Sequence, residues 1–235
     1  MGMAYHLAAN AVRKLFDTRI SGPPVLDAAV LFPAATRFAA NWRGVAAEAR
    51  HVADNILAVP RFHELMPEQA GISANDDRDW RMFILKAYGV PIVGNLARCP
   101  VLAGLLAATP EVLSATLSFL APGKHIPRHR GPFRGVLRFH LMLSMPLDDD
   151  DMPASILAID DIAHRLGEGD CLLWDDTYPH EVWNRGERIR AALLLDVRRP
   201  AMPWDMALLS HVVVGLVGTS IRLRSSVRMA MEGRR

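Results

Sequence analysis

Val136-Leu-Arg-Phe-His-Leu-Met-Leu-Ser-Met145 decides the fold. Along a strand, side chains two residues apart share a face, so Leu137, Phe139 and Leu141 point one way and Arg138 and His140 the other. Working outward, Thr116–Leu120 is a short apolar run, and Cys171–Trp174 and Ala191–Val197 are compact apolar runs. Between them lie Pro122-Gly123, Gly131-Pro132, Asp148–Asp151 and Gly167–Gly169, all turn signals. Short strands at such spacing predict an antiparallel sandwich or jelly roll.

The flanks differ. In Thr36–Leu57, Phe38, Trp42, Val45, Ala46, Ala49, Val52 and Ile56 recur at steps of three and four, which predicts helix. Asn75-Asp76-Asp77 interrupts the pattern, and Trp80–Tyr88 resumes it as a further helix. Pro100 opens another, since proline suits a first turn. Met206–Ile221 is apolar, with no formal charge unless His211 is protonated. Arg222, Arg224, Arg228, Arg234 and Arg235 follow. Its sixteen residues fall short of the roughly 20 that a membrane span needs. The expected organisation is a helical portion over 1–111, a strand core over 112–200, and an apolar and basic helical tail over 201–235.

Composition excludes several classes. Of 235 residues, 51% are hydrophobic and 22% charged, enough apolar side chain for a real core, which rules out global disorder. Net charge is only +2, so the chain is no polycation built for nucleic acid. Cys99 and Cys171 are too few for a disulfide framework or a four-thiolate zinc site. The first sixteen residues carry Arg13 and Lys14 after their apolar residues and lack a cleavage site, so no secretory signal is expected there, and a cytoplasmic protein is the default.

The densest chemistry lies between Ser118 and Arg190. His129 follows a Pro-Gly turn, and His180 sits just after the apolar run that ends at Trp174. Arg190 opens the next run. Imidazoles from two strand ends can share one Fe(II) inside a barrel. An inward arginine can grip a carboxylate with two parallel bonds. These are the parts of a non-haem iron, 2-oxoglutarate oxygenase, although spacing alone also allows the histidines to be ordinary core or surface residues.

Longer motifs carry more. Ser118-Phe-Leu-Ala-Pro-Gly-Lys-His-Ile-Pro-Arg-His129-Arg-Gly-Pro-Phe-Arg-Gly-Val-Leu-Arg138-Phe-His140-Leu and Gly169-Asp-Cys-Leu-Leu-Trp-Asp-Asp-Thr-Tyr-Pro-His180-Glu-Val-Trp-Asn resemble the aspartyl/asparaginyl β-hydroxylase family, as does Arg190 to Asp196-Val197. Trp80-Arg-Met-Phe-Ile-Leu-Lys-Ala-Tyr-Gly is similar to a segment of that family's bacterial lipid A hydroxylase branch. The resemblance implies a mainly β fold with flanking α, in which a double-stranded β-helix (jelly-roll) core follows a helical N-terminal region. It implies His129 and His180 as iron ligands. Ser118, Arg138, His140 and Arg190 become 2-oxoglutarate-binding residues, and Asp176 a catalytic acid beside the iron. The implied cofactors are Fe(II), 2-oxoglutarate as cosubstrate, and O2.

One position departs from the lipid branch. Gly131 stands where that branch has an aspartate ligand; the aspartyl/asparaginyl branch also has glycine and uses two histidines. A two-histidine site is similar to that of iron halogenases as well. The expected activity is therefore hydroxylation of an unactivated C–H bond by a 2-oxoglutarate-dependent dioxygenase, on an aspartyl/asparaginyl-type or amino-acid substrate. The alternatives are an acyl-chain hydroxylase at the membrane surface and a non-catalytic jelly-roll ligand-binding protein. Expected partners are a small-molecule, peptide or lipid substrate and no nucleic acid. The tail over 206–228 is read first as a helix packed on the barrel or on a second subunit, and alternatively as a peripheral contact with the inner membrane.

Overall fold

The computed structural model describes the backbone of residues 2–232, and side chains for Leu7 and residues 10–223. In chain order the elements are α1 (Gly2–Asp17), β1 (Val25–Leu26), α2 (Ala28–Leu31), α3 (Ala35–Ala40), α4 (Trp42–Ala53), α5 (Phe62–Leu65), β2 (Trp80–Ala87) and β3 (Val90–Pro91). Next come α6 (Val93–Leu96), α7 (Pro100–Ala107), β4 (Val112–Leu120), β5 (His125–His129), β6 (Val136–Ser144) and β7 (Ser155–Ile159). The last are β8 (Ile162–His164), β9 (Cys171–Trp174), β10 (His180–Asn184), β11 (Arg190–Arg198) and α8 (Trp204–Glu232).

Two antiparallel sheets face each other. The larger has seven strands in the order β1-β9-β6-β11-β4-β2-β3, and the smaller has four, β5-β10-β7-β8. The expected jelly-roll core with flanking helices is therefore present. β1, β2 and β3 lie before residue 112 and join the larger sheet.

Both faces of that sheet are buried. Its outer face carries Leu117, Phe119, Leu137, Phe139, Leu141, Leu193 and Leu195, packed with Phe32, Phe38, Val45, Ala49 and Leu102 from the helical layer. Phe139 meets Phe32 edge-on, with ring centroids 5.4 Å apart. Its inner face carries Trp80, Leu120 and Trp174, which meet Ile126, Leu157, Ile159 and Val182 of the smaller sheet. The alternation in β6 thus sends Leu137, Phe139 and Leu141 to the helices and leaves Arg138 and His140 on the inner face.

The segment Trp80–Tyr88 is not a helix as expected. Residues 80–87 form β2, paired with β4 through Met82↔Ser118 and Phe83↔Leu117. Both of its faces are covered: Trp80 and Met82 go to the inner cluster, Phe83 and Leu85 to the outer one. An apolar residue on each face imitates the three-residue step of a helix, and a register shift between Ile84 and Lys86 further blurs the period of two.

Pro100 does occupy the first turn of its helix, α7. Cys99 makes no side-chain cap there. Instead the Glu48 carboxylate reaches from α4 and accepts the Val101 and Leu102 amides at 2.5 and 3.1 Å. A negative charge there also suits the positive end of the helix. Glu48 is buried, so removing its oxygens strands two amide donors. Glu48→Ala should cost about 1–3 kcal/mol in urea unfolding, with Glu48→Gln recovering part of the loss.

The tail helix runs further than sixteen residues. α8 starts at Trp204, and its window Trp204–Leu223 has 20 residues and a mean hydropathy of 1.6, long and apolar enough to cross a membrane by length and composition. One side packs on the core, where Met206 and Val214 join Phe16, Ile20, Leu113, Phe133 and Val136. The Arg224 and Arg228 side chains lie outside the described residues, as do Arg234 and Arg235 altogether.

Candidate active site

Strand pairing brings the two predicted ligand histidines together. β5 and β10 run antiparallel with His129 opposite His180, and a register shift follows between His180 and Val182. The ring centroids are 4.1 Å apart. Each Nδ1 bonds a carbonyl two residues upstream: Pro127 at 2.7 Å for His129, Tyr178 at 2.9 Å for His180. A carbonyl only accepts, so both rings carry their proton on Nδ1 and keep a lone pair on Nε2. Burial pushes both histidines below their usual range, His180 furthest, helped by His129 beside it. Neutral imidazoles with Nδ1 fixed by a backbone carbonyl have the form that ligates a metal.

Three more predicted residues meet on the inner face of the larger sheet: Ser118 on β4, His140 on β6 and Arg190 at the start of β11. Arg190 donates through Nη2 to His140 Nε2 at 2.6 Å. That bond needs a neutral His140, and burial together with the Arg190 charge pushes its pKa well below the usual value. His140 Nδ1 is buried without a partner, and so is Arg190 Nε. Arg190 is only 4% exposed. Among the described residues no carboxylate pairs with it, and burial pulls its pKa down to about 10. A buried cation with spare donors and no counter-charge is costly unless an anion completes it.

Trp80 belongs to this group, although its motif alone gave it no role. Its indole N–H donates to Ser118 Oγ at 3.0 Å, leaving the hydroxyl proton for another acceptor. Phe62 stacks on the indole at 4.0 Å. The signal open to sequence reasoning was a tryptophan in a strand, whose N–H must find a partner when buried.

Arg138 lies on the same face, but in other company. It bonds Asp176 Oδ2 at 3.0 Å and Asp196 Oδ1 at 2.8 Å. Burial would lower its pKa, and the two carboxylates outweigh burial and raise it. Asp196 is a second residue that the motifs left without a role. For Asp176, burial dominates over the Arg138 charge and pushes the carboxyl up to about 6. Its Oδ1 is buried without a partner.

Gly131 explains where that carboxylate sits. Its amide donates to the Asp176 carbonyl at 2.6 Å, and a Cβ on Gly131 would overlap the Asp176 carboxylate. Asp176 therefore fills the volume that a third-position side chain would need. Among the described residues no group of three or more His, Cys, Asp or Glu could hold a metal. The donor set is two imidazoles, and it fits an iron held by two histidines.

With this geometry in view, the comparisons are decisive on family. Residues 39–200 match aspartyl/asparaginyl β-hydroxylase. The chain belongs to that family. The hydroxylase match covers all seven predicted site residues and leaves α8 outside. An ornithine lipid ester-linked acyl 2-hydroxylase of Rhizobium tropici is 33% identical over 182 residues, 77% of this chain and 63% of the relative. The Homo sapiens aspartyl/asparaginyl β-hydroxylase is 26% identical over 167 residues, 69% of this chain and 20% of that protein. The chain spans less than two thirds of the length of either relative. A cupin domain of Bordetella pertussis aligns at a TM-score of 0.29 and 13% identity, over 36% of this chain and 80% of that one.

The Gly131 overlap makes a direct prediction. Gly131→Ala should displace the Asp176 carboxylate from its place beside Arg138 and cost roughly 1–3 kcal/mol, or about 2–12 °C in melting temperature. Combining it with Asp176→Gly should remove most of that cost. Additive losses in the double variant would show that the two residues do not compete for one space.

Proposed function

We propose that this hydroxylase is an Fe(II)- and 2-oxoglutarate-dependent dioxygenase. The observation that carries the reading is Arg190: a buried guanidinium without a carboxylate, beside a serine and a histidine with protons to give. A dicarboxylate cosubstrate supplies the anion that this pocket lacks. Iron and 2-oxoglutarate, when bound, supply the oxidising power that puts one oxygen of O2 into a C–H bond and the other into succinate.

This chain's residues do the holding and positioning. His129 and His180 offer Nε2 to the iron, with orientation fixed through Nδ1. Arg190 and Ser118 take the carboxylate remote from the iron, and Trp80 fixes the Ser118 hydroxyl so that its proton faces the ligand. His140 presents its unpartnered Nδ1–H beside them. Arg138, two residues away on the same face, contributes field more than bonds, because Asp176 and Asp196 already hold it. Asp176, with a pKa near 6, holds or releases a proton at Oδ1 close to the two histidines. The sheets on both sides keep water out, which strengthens each of these interactions. The catalytic core is residues 112–200, completed by the strands that precede it.

For the substrate, the acyl chain of a lipid is the better supported class. The relative named for a lipid acyl group covers more of this chain at higher identity than the aspartyl/asparaginyl enzyme does. The inter-sheet interior carries Ile126, Leu157, Ile159 and Val182, and Arg138 there is already held by Asp176 and Asp196. An aspartyl or asparaginyl side chain is the second reading, favoured by the glycine at 131.

Losing a buried charge-assisted pair costs on the order of 2–5 kcal/mol, roughly 30- to several-thousand-fold in affinity. Arg190→Met should weaken 2-oxoglutarate binding by that factor, measured by anaerobic calorimetry with Mn(II) in place of iron. The same variant should melt no lower than the parent without ligand, because it removes an uncompensated buried charge. His129→Ala and His180→Ala should each abolish iron-dependent succinate release. Unchanged 2-oxoglutarate affinity in Arg190→Met would overturn the assignment and favour a non-catalytic jelly roll.

A further inference from the structure

α8 is apolar on two sides, and the fold uses only one. Met206, Ser210, Val214 and Gly218, four residues apart, are buried on the core. The opposite side presents Trp204, Leu208, Val212 and Leu216 at the same spacing, then Leu223. Trp204 is 80% exposed and Leu216 is 68% exposed. Leu7 and Leu15 of α1 are exposed as well, and α1 packs beside α8 through Val12 and Phe16. A run of large apolar side chains at the surface marks a contact with something apolar.

The pattern of charge selects the partner. From Met206 to Met231 the sequence has no acidic residue, while Arg222, Arg224 and Arg228 follow the stripe, and α1 adds Arg13 and Lys14. An isologous pair of chains would set this basic, acid-free helix against itself. Anionic headgroups complement it. Trp204 at one end of the stripe and arginine at the other are the residues that favour the headgroup level. The row from Met206 to Gly218 stays on the protein along the same length, so one side of the helix is left to meet a surface.

The same two helices reach the active site. Phe16 of α1 meets Phe133 edge-on at 5.1 Å, and Ser210 of α8 donates to the Gly135 carbonyl at 3.4 Å. Arg13 Nη1 lies 3.5 Å from the Gly131 carbonyl. The loop that seats Gly131 against Asp176 is therefore built onto the helix pair with the apolar stripe.

We propose that the exposed face of α8, with α1 beside it, docks on an anionic lipid bilayer and so holds the active site where membrane acyl chains are presented. The docking stands on the surface alone; the delivery of an acyl chain rests on the hydroxylase reading above.

Flotation of the full chain tests it, with vesicles of pure phosphatidylcholine and of an equal mixture of phosphatidylcholine and phosphatidylglycerol. The chain should float with the mixed vesicles, float less with the neutral ones, and be released by high salt, since each basic residue adds to attraction at an anionic surface. Leu208→Glu, Val212→Glu and Leu216→Glu each replace an exposed side chain, so folding is kept, and each should lower partitioning about tenfold or more. These variants should retain substrate-free 2-oxoglutarate turnover in solution, while hydroxylation of vesicle acyl chains falls with partitioning. A chain that stays in solution with both vesicles overturns the proposal, as do stripe variants that float like the parent. Concentration-dependent dimers by ultracentrifugation that the same substitutions abolish, without flotation, assign the face to a second copy. Resistance to alkaline carbonate extraction would mean a spanning helix. If the chain floats but shows no 2-oxoglutarate turnover in any form, the docking holds and the hydroxylase reading fails.

Discussion

Burial of both faces of the seven-stranded sheet governs nearly everything else in this protein. A strand in such a sheet has no wet side on which to put a polar residue. Ser118, His140 and Arg190 therefore sit in the dry space between sheets, and desolvation is the first cause of most of the shifted pKa values there. It keeps His129, His180 and His140 neutral, raises Asp176 and lowers Arg190. The outer apolar layer of Leu137, Phe139 and Leu141 thus bears on the site, because it holds the helices that exclude water from behind it.

Within that dry space the two arginines are treated in opposite ways. Arg138 is held by two carboxylates, so a further anion gains little from it. Among the described residues, Arg190 has only an imidazole nitrogen and the Met142 sulfur, 3.7 Å away. The same residue type on neighbouring strands therefore does different work: one fixes Asp176 in place, and the other keeps an open demand for negative charge. A resemblance that assigns both to the cosubstrate does not draw this distinction, which depends on where Asp176 and Asp196 fall.

How much was legible followed from how local each signal was. β6, β9 and β11 could be read because their runs are apolar or alternate, and α7 because proline opens it. The histidines stood out because each lies within a recognisable motif. β2 could not, since its two faces enter two different cores and a bulge shifts its phase. α8 starts at Trp204, within the tail expected over 201–235 and two residues before its uncharged apolar run, and Asp205 in its first turn is tied to Arg19 at 2.7 Å. The Trp80–Ser118 bond, the Asp196 partner of Arg138 and the Glu48 cap on α7 are long-range contacts that no local pattern encodes.

The glycine at 131 shows how one small residue can depend on a neighbouring carboxylate. A carboxylate at that position would need the space that the Asp176 side chain now occupies, and Asp176 is held there by Arg138 of β6. The glycine at 131 is thus coupled to β6 through the Asp176 side chain. In the proposed reading, the substrate is met instead through the α1 and α8 surfaces built onto the same loop. In that reading the helix pair is the feature that favours an acyl substrate, because it sets an apolar and basic surface beside the Gly131 loop.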